Sequence, residues 1–208
     1  MMPNAQKNMD ALITQNEQNG TVDTLLIHAC CAPCSSYVLE YLSNYFHIII
    51  LYYNPNITDK SEYEYRLAEE ERLINTLDAK YPIRLVKGDY DPEVYLSAVK
   101  GLEAEPEGGK RCSVCFELRL REAASYCKKL GADYFATTLT ISPLKNAENI
   151  NSIGQRIADE YGVKYLPSDF KKKNGYKRSI ELSRKYDLYR QNFCGCVFSR
   201  KSAQPLDK

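Results

Sequence analysis

Eight cysteines stand in this 208-residue chain beside only two histidines, His28 and His47, so any metal chemistry has to rest on thiolate. Five of the cysteines fall in two tight groups: Cys30, Cys31 and Cys34 in HACCAPC, and Cys112 and Cys115 in RCSVC. A two-residue gap in a first helical turn lets both sulfurs address one centre with little strain, and helix N-terminal N–H groups favour the thiolate. Soft sulfur donors suit zinc or an iron–sulfur cluster. A closed four-cysteine zinc site takes the two C-x-x-C pairs and leaves other thiols over. A four-thiolate cluster with a separate redox pair uses nearly all of them. Cys194-Gly195-Cys196 supplies such a pair: with one residue between them, two sulfurs close only a small strained ring, and strained disulfides are the labile ones. The same two residues could instead be further metal ligands. Cys127, mid-helix, reads as a small buried side chain.

Other groups are less specific. His28 lies inside an apolar run and reads as a hydrogen-bonded core histidine. Asp89 and Asp91 end a predicted strand on the cysteine edge of the sheet, where either could donate a proton or simply shape a turn. Between residues 171 and 190 the net charge is +6, against −5 for the rest of the chain. Lys171, Lys172, Lys173, Lys177 and Arg178 open that tract, and Tyr176, Tyr186 and Tyr189 interleave with it. Such a block suits a nucleic-acid backbone and unpaired bases, and suits a solvated helix face equally well.

The elements that must position these groups follow from periodicity. Buried strands are predicted at 24–29, 47–53, 83–86, 133–138 and 163–166, alternating with helices at 35–44, 61–79, 93–102, 112–130 and 147–161, and a last helix at 179–189. Alternation of this kind predicts a doubly wound α/β fold: a parallel five-stranded sheet with a C-terminal helical extension. Strand one beside strand four would face the first cysteines toward the hydroxyl-rich 137–142 loop. Residues 23–208 read as one domain, and residues 1–22, mostly polar, as a disordered leader. No apolar stretch is long enough to span a bilayer, and no signal peptide is evident. A cytoplasmic, reducing setting is therefore expected, where cysteines serve metal or redox chemistry rather than structural disulfides.

Five segments, HACCAPC at 28–34, RCSVCF at 111–116, TTLTISP at 137–143, DFKKKNG at 169–175 and YRQNFCGC at 189–196, together resemble the cobalamin-independent epoxyqueuosine reductases, the QueH family. The resemblance implies a fold similar to the adenine-nucleotide α-hydrolases. It also implies a [4Fe–4S] cluster, no cobalamin, and reduction of an epoxide on a modified base at the tRNA wobble position. It implies Cys30, Cys31, Cys112 and Cys115 as cluster ligands and Cys194 with Cys196 as the redox pair. Cys34, at a position that varies in the family between cysteine and aspartate, is left either on the cluster or on an additional iron. Asp89 or a site thiol would protonate the departing oxygen, and an electron donor of unspecified identity would be a further partner. Cysteines replace the phosphate loop of the nucleotide-binding relatives, which argues against ATP use. The rival readings are a zinc-stabilised binding module and a tRNA-thiolating enzyme of the same fold.

Overall fold

The structure, a computed structural model, describes residues 5–202. Four parallel strands, β1 (Thr24–Ala29), β2 (His47–Tyr52), β3 (Ile83–Lys87) and β4 (Tyr134–Thr137), form one sheet in the order β3-β2-β1-β4. Successive side chains of a strand point to opposite faces. Leu25, Ile27 and Ala29 accordingly join Ile48 and Ile50 in one core layer, while Leu26 joins Ile49, Leu51 and Phe135 in the other. With both faces buried, the central strands can be almost wholly apolar.

Helices α1 (Ala5–Asn19), α2 (Ala32–Leu42) and α3 (Lys60–Thr76) cover the first face, and α5 (Lys110–Leu130) with α6 (Ala147–Tyr161) covers the second. A short helix α4 (Pro92–Ala98) precedes α5, and α7 (Gly175–Lys185) and α8 (Val197–Ser202) follow α6. The chain winds outward from β1 to β3, then crosses back to lay β4 on the other side of β1. Helices after β1 and β4 therefore diverge, opening a crevice beyond Ala29 and Thr137, where doubly wound sheets hold their ligands. The expected adjacency of strands one and four is present, with Ile27 opposite Ala136 and His28 opposite Thr137.

Three expectations need correction. The fifth strand is a single parallel bridge, Phe135 to Tyr165, carried by Phe135 N–H to Lys164 O and Leu166 N–H to Phe135 O, each 2.9 Å. The next donor in that register, Ser168 N–H, goes instead to Asn151 Oδ1 at 3.1 Å, and the ladder ends there. The segment read as a disordered leader contains α1: Met9, Leu12 and Ile13 make a stripe at i, i+3 and i+4, and Met9 is fully buried in the first core layer. Polar composition hid that stripe. Finally, the basic helix begins earlier than expected, at Gly175, and ends at Lys185.

Met9 provides the test of α1 docking. Met9→Ala should cost about 2–5 kcal/mol in urea unfolding, the range for a large-to-small change in a packed core. A loss below roughly 0.5 kcal/mol, the level of an ordinary surface change, would mean that α1 does not belong to the core.

Candidate active site

Cys31 is the N-cap of α2, with extended backbone (φ −175°, ψ 155°), and its carbonyl accepts from the N–H groups of Cys34 and Ser35 at 3.1 Å. Pro33 lies in the first turn, where its missing N–H costs nothing. This turn brings the Sγ atoms of Cys30, Cys31 and Cys34 within 4.8 Å of one another. The Cys30 and Cys31 sulfurs are 3.7 Å apart, and Cys30 is also 3.7 Å from Thr138 Oγ1. S–H donation from Cys31 and Cys34, aided by Lys145, pulls the Cys30 thiol below its ordinary range. The same hydrogen bond to Cys30 pushes Cys31 up to about 12, and Cys34 rises for the same reason.

Beneath these cysteines, His28 is the buried core histidine its apolar surroundings suggest. Nε2 lies 3.1 Å from Tyr53 O and Nδ1 lies 3.0 Å from Thr137 Oγ1. A carbonyl only accepts, so Nε2 carries the proton and Nδ1 accepts from the Thr137 hydroxyl, whose oxygen accepts Leu139 N–H. Burial holds the imidazole neutral, its pKa down at about 3.

A cavity of about 350 Å³ opens at the cysteine trio, and Cys194 lines it too, together with Arg66, Arg119, Lys145, Tyr176 and Gln191. A smaller adjoining space is lined by Cys112, Cys115, Cys194 and Cys196, and again by Arg119 and Lys145. Cys34 lies with Cys30 and Cys31 at the larger cavity, while Cys112 and Cys115 line the adjoining space with the tail cysteines. Cys112 and Cys115 stand in the first turns of α5. Burial raises both thiols, Cys115 to about 12. All eight cysteines are free thiols.

Main-chain contacts hold the tail. Arg66 is buried against Glu62, 2.7 Å away, and its Nη1 and Nη2 donate to Cys194 O (3.2 Å) and Phe193 O (3.4 Å). Cys194 N–H donates to Ser199 Oγ at 2.8 Å. Gly195 has φ +109°, and an added Cβ would meet Ile57 Cγ1 at 2.8 Å, so only glycine fits between these cysteines.

Not every expected residue arrives. Asp89 is exposed and lines neither space, because the β3 end is two strands away from the β1–β4 crevice. Four of the five named cations of the basic tract are paired internally: Lys171 and Lys172 with Asp169, Lys173 with Asp10, and Arg178 with Glu40 and Glu181. Lys177 is exposed, and no ion pair involves it among the described residues. Cations at the cavity come instead from Arg66, Arg119, Lys145 and Arg190. Arg119 was legible as a partner of Cys112 and Cys115, since i, i+3 and i+7 share a helix face. Lys145 and Gln191 carried no such signal.

Buried polar atoms without a hydrogen-bond partner gather here: Asn56 Oδ1 and Arg119 Nη2 in the smaller space, and Gln191 Oε1 in the larger. Buried groups of this kind are normally satisfied, so the site is built for something to bind. A set of seven thiols around two adjoining spaces fits a thiolate-bound metal group.

The family model described as "Epoxyqueuosine reductase QueH" matches residues 25–202. Relatives of that name include the protein of Streptococcus pyogenes, 45% identical over 207 residues, covering 97% of this chain and 81% of the relative. That of Staphylococcus epidermidis is 44% identical, covering 94% and 84%. That of Thermotoga maritima is 39% identical, covering 85% and 90%. Among solved structures, that of an NMN synthetase from Francisella tularensis superposes with a TM-score of 0.39 at 10% identity, over 95% of this chain and 89% of that one, too slight a likeness to carry an argument.

Behind the cysteine turn, Glu70 of α3 is fully buried, and burial, only partly offset by the Ser35 hydroxyl, raises its pKa from 4.5 to about 8. Between those values the unfolded chain ionises Glu70 and the folded one does not. Each pH unit of that rise therefore removes up to about 1.4 kcal/mol of stability. Glu70→Gln should match the wild type in urea unfolding at pH 5 and exceed it by several kcal/mol at pH 8. A gap that does not widen with pH would show that Glu70 is ionised when folded.

Proposed function

The chain belongs to the epoxyqueuosine reductase QueH family, and from that premise we propose that it reduces the epoxide of epoxyqueuosine, at the wobble position of tRNA, to the alkene. The observation that carries this reading is the placement of Cys194, which lines the larger cavity with the Cys30–Cys31–Cys34 group and shares the smaller space with Cys196. That cavity, about 350 Å³, is of the size that takes a small organic group.

Removing the epoxide oxygen as water takes two electrons and two protons. Two S–H groups supply both: Cys194 and Cys196 give up their hydrogens, and an S–S bond forms between them. A two-electron donor must then restore the dithiol. With Asp89 far from the cavity, the thiol of Cys194 is the group placed to hand a proton to the departing oxygen. Cys30, Cys31, Cys112 and Cys115 would hold a [4Fe–4S] cluster, with Cys34 on it or on an added iron, which supplies Lewis acidity at the oxygen and an electron relay.

The remaining lining residues suit a nucleotide. Tyr176 offers a stacking face, and Gln191 Oε1 has an open acceptor position for a base N–H. Leu139, Ile141 and Pro143 exclude water. Lys145 and Arg190 supply positive charge for phosphate. No helix of the described residues is long and apolar enough to cross a membrane, and we place the reaction in the cytoplasm, with tRNA.

Anaerobic purification should give protein with stoichiometric iron and sulfide, and Cys112→Ser should lose most of both. Colourless protein with stoichiometric zinc would overturn the cluster. Cys194→Ser should keep the iron and lose multiple turnover on epoxyqueuosine tRNA by at least about 100-fold, the lower end for a positioned proton donor. Full turnover would remove Cys194 from the reaction. Phosphate contact is tested separately: Lys145→Gln should lower the salt slope of tRNA binding by about one, whereas Lys173→Gln, already paired, should leave it nearly unchanged. Equal effects would place the tRNA on the basic tract instead.

A further inference from the structure

Two arginines are buried beside the cysteines, and they are balanced differently. Arg66 has Glu62 at 2.7 Å. Arg119 is 1% exposed, and no carboxylate pairs with it among the described residues. Its Nε donates to Cys115 O at 3.1 Å, its guanidinium lies over the Phe116 ring at 5.7 Å, and its Nη2 has no partner. Burying an unpaired guanidinium costs several kcal/mol. The fold accepts that cost only where an anion completes the pair.

What surrounds Arg119 identifies the anion. It lines both cysteine spaces, the larger with Cys30, Cys31, Cys34 and Cys194 and the smaller with Cys112, Cys115, Cys194 and Cys196. Lys145 is the other cation common to both spaces, carried on the loop before α6 rather than on a helix that bears cysteines. On α5 the spacing Cys112, Cys115, Arg119 keeps two of the proposed ligands and the cation on one helix face.

Resting on the reading above, we propose that Arg119 is the resident counter-cation of the thiolate-bound metal group, a positioning residue that donates a hydrogen bond to its sulfur and favours its reduced state. Four thiolates bring negative charge into a desolvated site, and each one-electron reduction adds one more. A fixed positive charge nearby in low dielectric stabilises the reduced form more than the oxidised form, and so raises the potential. Hydrogen bonds to sulfur act in the same direction.

The test compares wild type, Arg119→Gln and Arg119→Lys, purified anaerobically, for iron and sulfide content, melting temperature and midpoint potential in a dithionite titration. Arg119→Gln is expected to keep its iron and to titrate at a lower potential than wild type, with Arg119→Lys between them. Loss of iron from the Gln variant with retention in the Lys variant also supports the proposal, because charge is then what the site requires. An unchanged potential in iron-replete Arg119→Gln overturns it. So does loss of iron from both variants with lowered melting temperature, which marks a packing role. If the wild type carries zinc instead, the cluster reading has failed, and Arg119 is judged by chelator titration. Zinc loss from Arg119→Gln at about tenfold lower chelator than wild type upholds the counter-cation, and equal retention refutes it.

Discussion

A neutral imidazole at the end of a buried strand is the constraint on which the site depends. His28 joins Tyr53, just past β2, to Thr137, the last residue of β4, across the central strand. Its two ring nitrogens are both used, one giving and one taking, so its proton cannot move without breaking the arrangement. Cys30 follows two residues later. The three strand ends are thereby fixed relative to one another at the point where the helices diverge, and the cysteine turn inherits that rigidity. Asn54 adds to it, donating to Ala29 O at 2.8 Å.

Around this frame the chain's later segments are secured by arginines working across long sequence separations. Arg66 holds the carbonyls of Phe193 and Cys194, Arg72 those of Tyr186 and Asp187, and Arg178 forms a bidentate pair with Glu40 that fastens α7 to α2. The exposed pairs among these contribute little each. Arg66, buried with Glu62, contributes more through what would be stranded if it were cut. One side of the cavity is formed by a segment with no regular structure, so these contacts decide where that wall stands.

Much of this was legible in the sequence. Runs such as Leu25–Ile27 and Ile48–Leu51 announce buried parallel strands, and cysteines just after such a run, followed by proline, announce a strand-to-helix turn. The adjacency of β1 and β4 follows from fold habit. What was not legible depends on partners far away in the chain. Nothing local to Lys173 reveals Asp10, 163 residues distant, or to Arg178 reveals Glu40, 138 residues distant. The basic tract therefore read as a free surface when most of its named cations are neutralised. The same blindness made Asp89 look close to the cysteines, since a shared sheet edge says nothing of the distance along it. Met9 was lost among polar neighbours.

Gripping the tail by its carbonyls and by one amide has a corollary. Arg66 and Ser199 hold main-chain groups of Phe193 and Cys194, which every residue type carries. The stand of this cavity wall is therefore set by side chains on α3 and α8, and is nearly indifferent to which side chain occupies position 194. Anchorage and side-chain chemistry along the tail can thus vary separately.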